Sequence, residues 1–250
     1  MDYDMMERMN DMLDKGLLEK LSRVFYGHEL WLDTPSSRGK VVSCHLRHGH
    51  NMKVDGVAPK HYVNPFVYTP DRTTKVRATE MEEKDGWKLS CPKTADGDYT
   101  FYIDSSSVWC RDSKGKWTMG AKSKVGDVSY SGAYELVAKK IVPVKSKGTF
   151  ESRARTTLDI MPNVRKIKVG DTVEFGVKYE KKNLTGAQMK AYCRESNKEV
   201  MVDVAKGKAT VAIDHEGTWM FLVRHRDEAK KVSDEFDETV FVTTLVMETR

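Results

Sequence analysis

Val41-Val42-Ser43-Cys44-His45-Leu46-Arg47-His48-Gly49-His50-Asn51 carries three of the chain's seven histidines within six residues. Val42, Cys44 and Leu46 alternate with Ser43, His45 and Arg47. That is the two-residue period of a strand with one buried face, and Gly49 ends the run. Carried past Leu46, the alternation brings His48 and His50 out on the apolar side. Neutral imidazole is a common ligand of zinc, nickel, copper and iron, and histidines at i and i+2 of one strand can converge on one ion. The spacing permits chelation without requiring it. The same residues serve as solvated strand-end groups, or as core histidines bonded to a carbonyl.

Working outward, the chain from His28 reads as strands separated by turn residues. Strands are expected at 29–33, 40–47, 63–68, 75–81, 87–91, 97–103 and 107–110, with turns at Thr34-Pro35, Pro70-Asp71 and Ala95-Asp96-Gly97. The segment 109–124 reads as a hairpin leading into a lysine-rich connection. Ile141-Val142-Pro143-Val144 followed by Lys145-Ser146-Lys147-Gly148 has the proline, glycine and charge signature of a boundary. Seven short strands follow, at 157–161, 172–179, 188–194, 199–204, 208–213, 218–225 and 238–247. Their number and spacing suit an immunoglobulin-like or transthyretin-like sandwich. The expected class is therefore all-β, with two β-sandwich domains at 28–145 and 149–250.

Residues 1–27 differ in composition. Met6, Met9, Leu13, Leu17, Leu21 and Val24 recur at steps of three and four, the pattern of an amphipathic helix. Asp2, Asp4, Glu7, Asp11 and Asp14 stand where a secretion signal has basic residues, and no uninterrupted apolar core follows. The helical spacing makes the methionines packing residues rather than thioether ligands for copper(I). Such a helix is expected to dock on the sandwich or to pair with a second copy of the chain as a homodimer.

Composition excludes several classes. The net charge of +5 arises from 42 basic and 37 acidic residues that are largely interspersed, and no nucleic-acid motif accompanies them. The basic stretch 111–147 reads as a solvated lysine-rich sheet surface. Cys44, Cys91, Cys110 and Cys193 form no C-x-x-C pair, which argues against a zinc ribbon or a thioredoxin-like site. No apolar run approaches the roughly eighteen residues of a membrane span. His28-Glu29 and His215-Glu216 each lack the second histidine of a metalloprotease helix, and there is no nucleophile elbow, P-loop or dinucleotide fingerprint. Paired carboxylates such as Glu82-Glu83 lie in polar stretches, so enzyme activity is not expected. A glycosidase would need two carboxylates that meet only in space.

Gly27-His28-Glu29-Leu30-Trp31-Leu32, Leu46-Arg47-His48-Gly49-His50-Asn51, Gly97-Asp98-Tyr99-Thr100-Phe101-Tyr102 and Gly217-Thr218-Trp219-Met220-Phe221-Leu222-Val223-Arg224-His225 occur in this order. Together they resemble the family called domain of unknown function 4198, over roughly residues 28–247. Its members include the accessory metal-binding component of nickel and cobalt uptake transporters. The resemblance implies two β-sandwich domains, an extracytoplasmic location, and transition-metal binding rather than catalysis. His50 matches the family histidine after the second strand, and His225 one at the end of the penultimate strand. The equivalent of His28 lies just after the signal cleavage site in secreted members. Here Gly27 and an acidic segment precede it, so the chain, if complete, is expected in the cytoplasm.

The sequence thus leads to a protein that binds nickel or cobalt, with zinc or copper also suited to the donors, and that assists a membrane transporter. The expected ligands are His28, His48, His50 and His225. Glu29 is expected as an oxygen ligand, as a hydrogen-bond partner of one, or as a surface charge. The competing reading is an adhesion or interaction sandwich that binds protein or glycan without metal. Geometry separates the two: His28, His48 and His50 meet in the first and point apart in the second.

Overall fold

Strands make up most of residues 28–249, the part of the chain described by the computed structural model. The helix expected over residues 1–27, and the dimer contact expected of it, lie outside the described residues. In the first half the strands are β1 (Glu29–Ser36), β2 (Val41–His50), β3 (Lys53–Gly56), β4 (Pro65–Tyr68), β5 (Val76–Arg77), β6 (Thr79–Glu83), β7 (Gly86–Pro92), β8 (Gly97–Asp112), β9 (Trp117–Met119) and β10 (Val128–Val144). The second half adds β11 (Leu158–Pro162), β12 (Thr172–Tyr179), β13 (Lys182–Asn183), β14 (Ala187–Cys193), β15 (Lys198–Val204), β16 (Lys208–Ala212), β17 (Thr218–Asp227) and β18 (Glu238–Glu248). The chain is all-β. No helix among the described residues is long and apolar enough to cross a membrane.

A nine-stranded sheet in the order β15-β14-β17-β18-β10-β8-β4-β5, with β9 alongside β8, is the backbone of the fold. A five-stranded sheet, β1-β2-β7-β6 with β3 on β2, covers one part of it. A four-stranded sheet, β11-β12-β13 with β16 on β12, covers another. The two covers lie on opposite faces of the nine-stranded sheet. Strand periodicity shows this: Ala138, Val142 and Val144 of β10 join the core with Val42, Cys44 and Leu46 of β2. Ile141 of β10 instead packs with Phe241, Leu245 and Phe175 in the core under the four-stranded sheet.

The expected break at 145–149 does not separate two independent sheets. Strands β10 and β18, from either side of it, pair in parallel from Gly132↔Glu238 to Lys139↔Leu245. Parallel neighbours with both faces covered are buried on both sides, and the sequence of β10 conceals this. Its Lys139-Lys140 pair reads as solvent-facing, yet both side chains are 1% exposed. Lys139 ion-pairs with Asp159 at 2.7 Å on one face, and Lys140 with Glu248 at 2.6 Å on the other. The expectation of a solvated surface over 111–147 is corrected for this strand, because each ammonium is neutralised in place. The gap expected between strands 97–103 and 107–110 is also absent, since β8 runs unbroken along β10.

β1 is buried on both faces and ties the layers together. Leu30 and Leu32 enter the core with β2. Trp31 packs on Tyr192, Met220 and Val246 of the nine-stranded sheet. The Thr244 hydroxyl donates to the Leu30 carbonyl at 2.6 Å. The first residue of this anchored strand follows directly on His28.

Candidate metal centre

Pairing of β1 with β2 puts Glu29 opposite Gly49 and Leu30 opposite His48, so residue 28 arrives beside His50. The three rings meet there. The His28 and His48 ring centroids are 4.3 Å apart with planes inclined by 14°, and His28 and His50 are 4.4 Å apart at 45°. His48 and His50 leave β2 on the side of Cys44 and Leu46, as the alternation predicts. His45 goes to the opposite face and meets Glu83 at 3.1 Å.

The hairpin from β2 to β3 brings a fourth group. Asn51 and Met52 form a two-residue turn with φ of 45° and 57°. The left-handed conformation costs a methionine more than a glycine. Here the Met52 side chain is buried against Trp31. His48 then pairs with Gly56 and Gly49 with Val54, which leaves Asp55 as the extra residue of a β-bulge. A bulge re-aims side chains. Gly49 is needed at this point, because a Cβ there would lie 1.9 Å from the Lys53 carbonyl oxygen. Asp55 reaches His50 Nδ1 at 2.6 Å, and its carboxylate lies 3.7 Å from His28 Nε2.

One ligand atom each from His28, His50 and Asp55 falls within 4.8 Å of the others. The three side chains are about half exposed, at 52%, 48% and 43%, so an ion can reach them from solvent. Two imidazoles and a carboxylate form a donor set for borderline divalent metals. His48 plays a different part. Ring lone pairs lie in the ring plane, so the near-parallel ring of His48 does not aim at the point its neighbour aims at. It buttresses His28 from the core side, with Tyr62 beyond it at 6.4 Å.

Electrostatics disfavour the protonated forms of His28 and His48. Burial, and then the adjacent His50, hold His28 below the usual imidazole value against the opposing pull of Asp55. His48 is pushed down to about 4, first by burial and then by His28. Imidazole must be unprotonated to ligate, so both rings are in the competent form at neutral pH.

The structure does not bring His225 to this cluster. Trp219, Phe221, Val223 and His225 share one face of β17, and that face packs on the four-stranded sheet. His225 lies 4.4 Å from the Tyr179 ring, and burial lowers its pKa. Met220, on the opposite face of β17, meets Trp31. Glu29 is corrected as well: it is 6% exposed. It pairs with Lys190 at 2.6 Å and accepts the Asn51 amide N–H at 2.8 Å, which pins the hairpin to β14. Asp55 is the residue that sequence reasoning missed. Its signal was the acidic residue five positions after His50, across a tight turn that lacks the usual Asn-Gly.

No curated protein matches the chain. Among solved structures, murine CEACAM1b aligns at 9% identity over 90% of this chain and 99% of its own, with a TM-score of 0.22. Chicken CNTN1 FN1-FN3 domains align at 8% identity over 90% of this chain and all of their own, with a TM-score of 0.23. Superpositions this loose carry no argument about the present chain. The family model described as Domain of unknown function (DUF4198) matches residues 25–227, which span the histidine cluster, every strand of the shared sheet except β18, and most of the second core, and the chain belongs to that family.

Proposed function

We propose that this protein binds a divalent transition metal, nickel or cobalt in the first instance, through His28, His50 and Asp55, with His48 holding the His28 ring. One observation carries the reading: His28, directly before β1, His50 of β2 and the bulged carboxylate of Asp55 converge at one half-exposed spot, with the His48 ring stacked on His28. That convergence favours metal binding over an adhesion module, which gives no reason to gather three imidazoles that would repel one another when protonated. Zinc and copper(II) suit the same donors, and the Irving–Williams order favours copper. Delivery to a membrane transporter is the role that the resemblance suggests. In this reading the ion is cargo, and the protein binds rather than catalyses.

The two cores support a related reading of the architecture, in which two sandwiches of immunoglobulin-like build share one sheet instead of being joined by a linker. The functional reading is tested by elemental analysis of tag-free protein purified from cells supplied with nickel, cobalt and zinc. About one equivalent of ion in the wild type, lost from His50→Ala, supports it. Metal-free wild type that takes up no ion on later exposure overturns it.

A further inference from the structure

On the face of β8 and β10 turned away from the five-stranded sheet lies a cavity of about 450 Å³. Its size falls in the range of small-molecule sites. Its wall is built from a buried polar knot. Asp159, fully buried, takes the Lys139 ammonium at 2.7 Å and the Tyr102 hydroxyl at 3.3 Å. It also accepts the backbone N–H of Arg155 at 2.7 Å. The Lys139 nitrogen is completed by the Ile160 carbonyl at 2.8 Å. The knot therefore fixes the backbone at Arg155, while the guanidinium lies on the Tyr68 ring at 4.4 Å.

Arg155 is held at both ends without using its N–H donors. Among the described residues neither Arg155 nor Arg72, both of which line the cavity, makes a side-chain hydrogen bond or ion pair. The carboxylates at the rim are already engaged. Asp71 accepts from Thr94 at 2.8 Å, Asp98 from Arg165 at 2.8 Å, and Glu151 from Arg153 at 2.8 Å. Two guanidinium groups without a side-chain hydrogen bond therefore line a space in which Asp98 and Glu151 are paired with other arginines and Asp71 keeps its charge beside Arg72, with Thr73, Thr100 and Thr149 along the same wall. Guanidinium recognises planar carboxylate and tetrahedral phosphate through paired N–H donors. A preorganised donor loses little freedom on binding.

We propose that this cavity binds a small organic anion, a hydroxylated molecule carrying a carboxylate or phosphate group that Arg155 and Arg72 clasp. The site is separate from the histidine cluster and needs no metal. The test is calorimetric titration of chelator-stripped full-length protein with inorganic phosphate, malate and glucuronate, with glucose as the neutral control. Saturable binding of malate, glucuronate or phosphate, with none of glucose, is expected, and the preferred anion tells carboxylate from phosphate. Arg155→Gln and Arg72→Gln should each weaken binding about tenfold, as loss of a charge-assisted contact does. Arg38→Gln, in an exposed turn, should leave it unchanged. Arg72 also lies in an exposed turn, so its variant keeps the test sound if Arg155→Gln fails to fold. Absence of saturable binding by all three anions overturns the proposal, as does equal affinity in wild type and folded Arg72→Gln.

Discussion

The His28 imidazole lies nearly flat on that of His48, with centroids 4.3 Å apart and planes within 14°. Burial first, and then repulsion from a protonated His28, make His48 resist protonation. His48, at about 4 when folded, lies below the unfolded value of about 6.5. The unfolded chain therefore binds the proton first, and stability rises with pH across this interval. The contribution is fully present above about pH 6.5 and is lost as pH falls through 4. NMR titration of the His48 ring should give a midpoint near this low value, and His28→Ala should raise it. An ordinary midpoint, unmoved in the variant, would show that the rings do not couple.

Tyr99 ties the β7–β8 connection to the core. Its buried hydroxyl accepts the amide N–H groups of Thr94 at 2.8 Å and Ala95 at 3.0 Å, and donates to the Ala95 carbonyl at 2.9 Å. Tyr99→Phe keeps the ring but strands these groups, at a cost of about 1–3 kcal/mol. Urea denaturation measures it, and an unchanged midpoint would show that the turn finds other partners.

Lys139 and Asp159 are 1% and 0% exposed. Removing one partner of a buried pair leaves an uncompensated charge, so Lys139→Met and Asp159→Leu should each cost about 3–5 kcal/mol. Asp159→Leu should cost more, because Tyr102 and the Arg155 amide also depend on that carboxylate. The double variant should be destabilised by less than the sum of the two. Strict additivity in denaturant would contradict a coupled pair.

Cleavage within 145–157 should not free two independent halves. The eight paired positions from Gly132↔Glu238 to Lys139↔Leu245 hold β10 to β18. A limited digest should show two bands under denaturing conditions and one peak on native size exclusion. Two native peaks would mean that the shared sheet does not hold.

Much of the fold was legible because apolar residues alternate where one face is wet. Val42, Cys44 and Leu46 gave β2 its direction, and with it the exit of His48 and His50 toward His28. β10 was illegible for the converse reason: a strand covered on both faces shows no alternation, and Lys139-Lys140 mimics a surface. A sequence does not state that each lysine will meet its own acid, Asp159 or Glu248, from a distant strand. His225 illustrates a second limit. Period two places it with Trp219, Phe221 and Val223, but only the topology shows that this face turns away from β1. Asp55 illustrates a third, since a bulge shifts the register by one residue and leaves no mark in composition.

The central claim is that His28, His50 and Asp55 hold a metal ion and that His225 does not. Calorimetric titration of chelator-stripped, tag-free wild type with nickel and with cobalt in one buffer tests it, alongside His28→Ala, His50→Ala, Asp55→Ala and His225→Ala. One ion should bind to the wild type. The first three variants should weaken binding about 10–100-fold or abolish it, and His225→Ala should match the wild type. Equal affinities in wild type, His28→Ala, His50→Ala and Asp55→Ala would contradict the account.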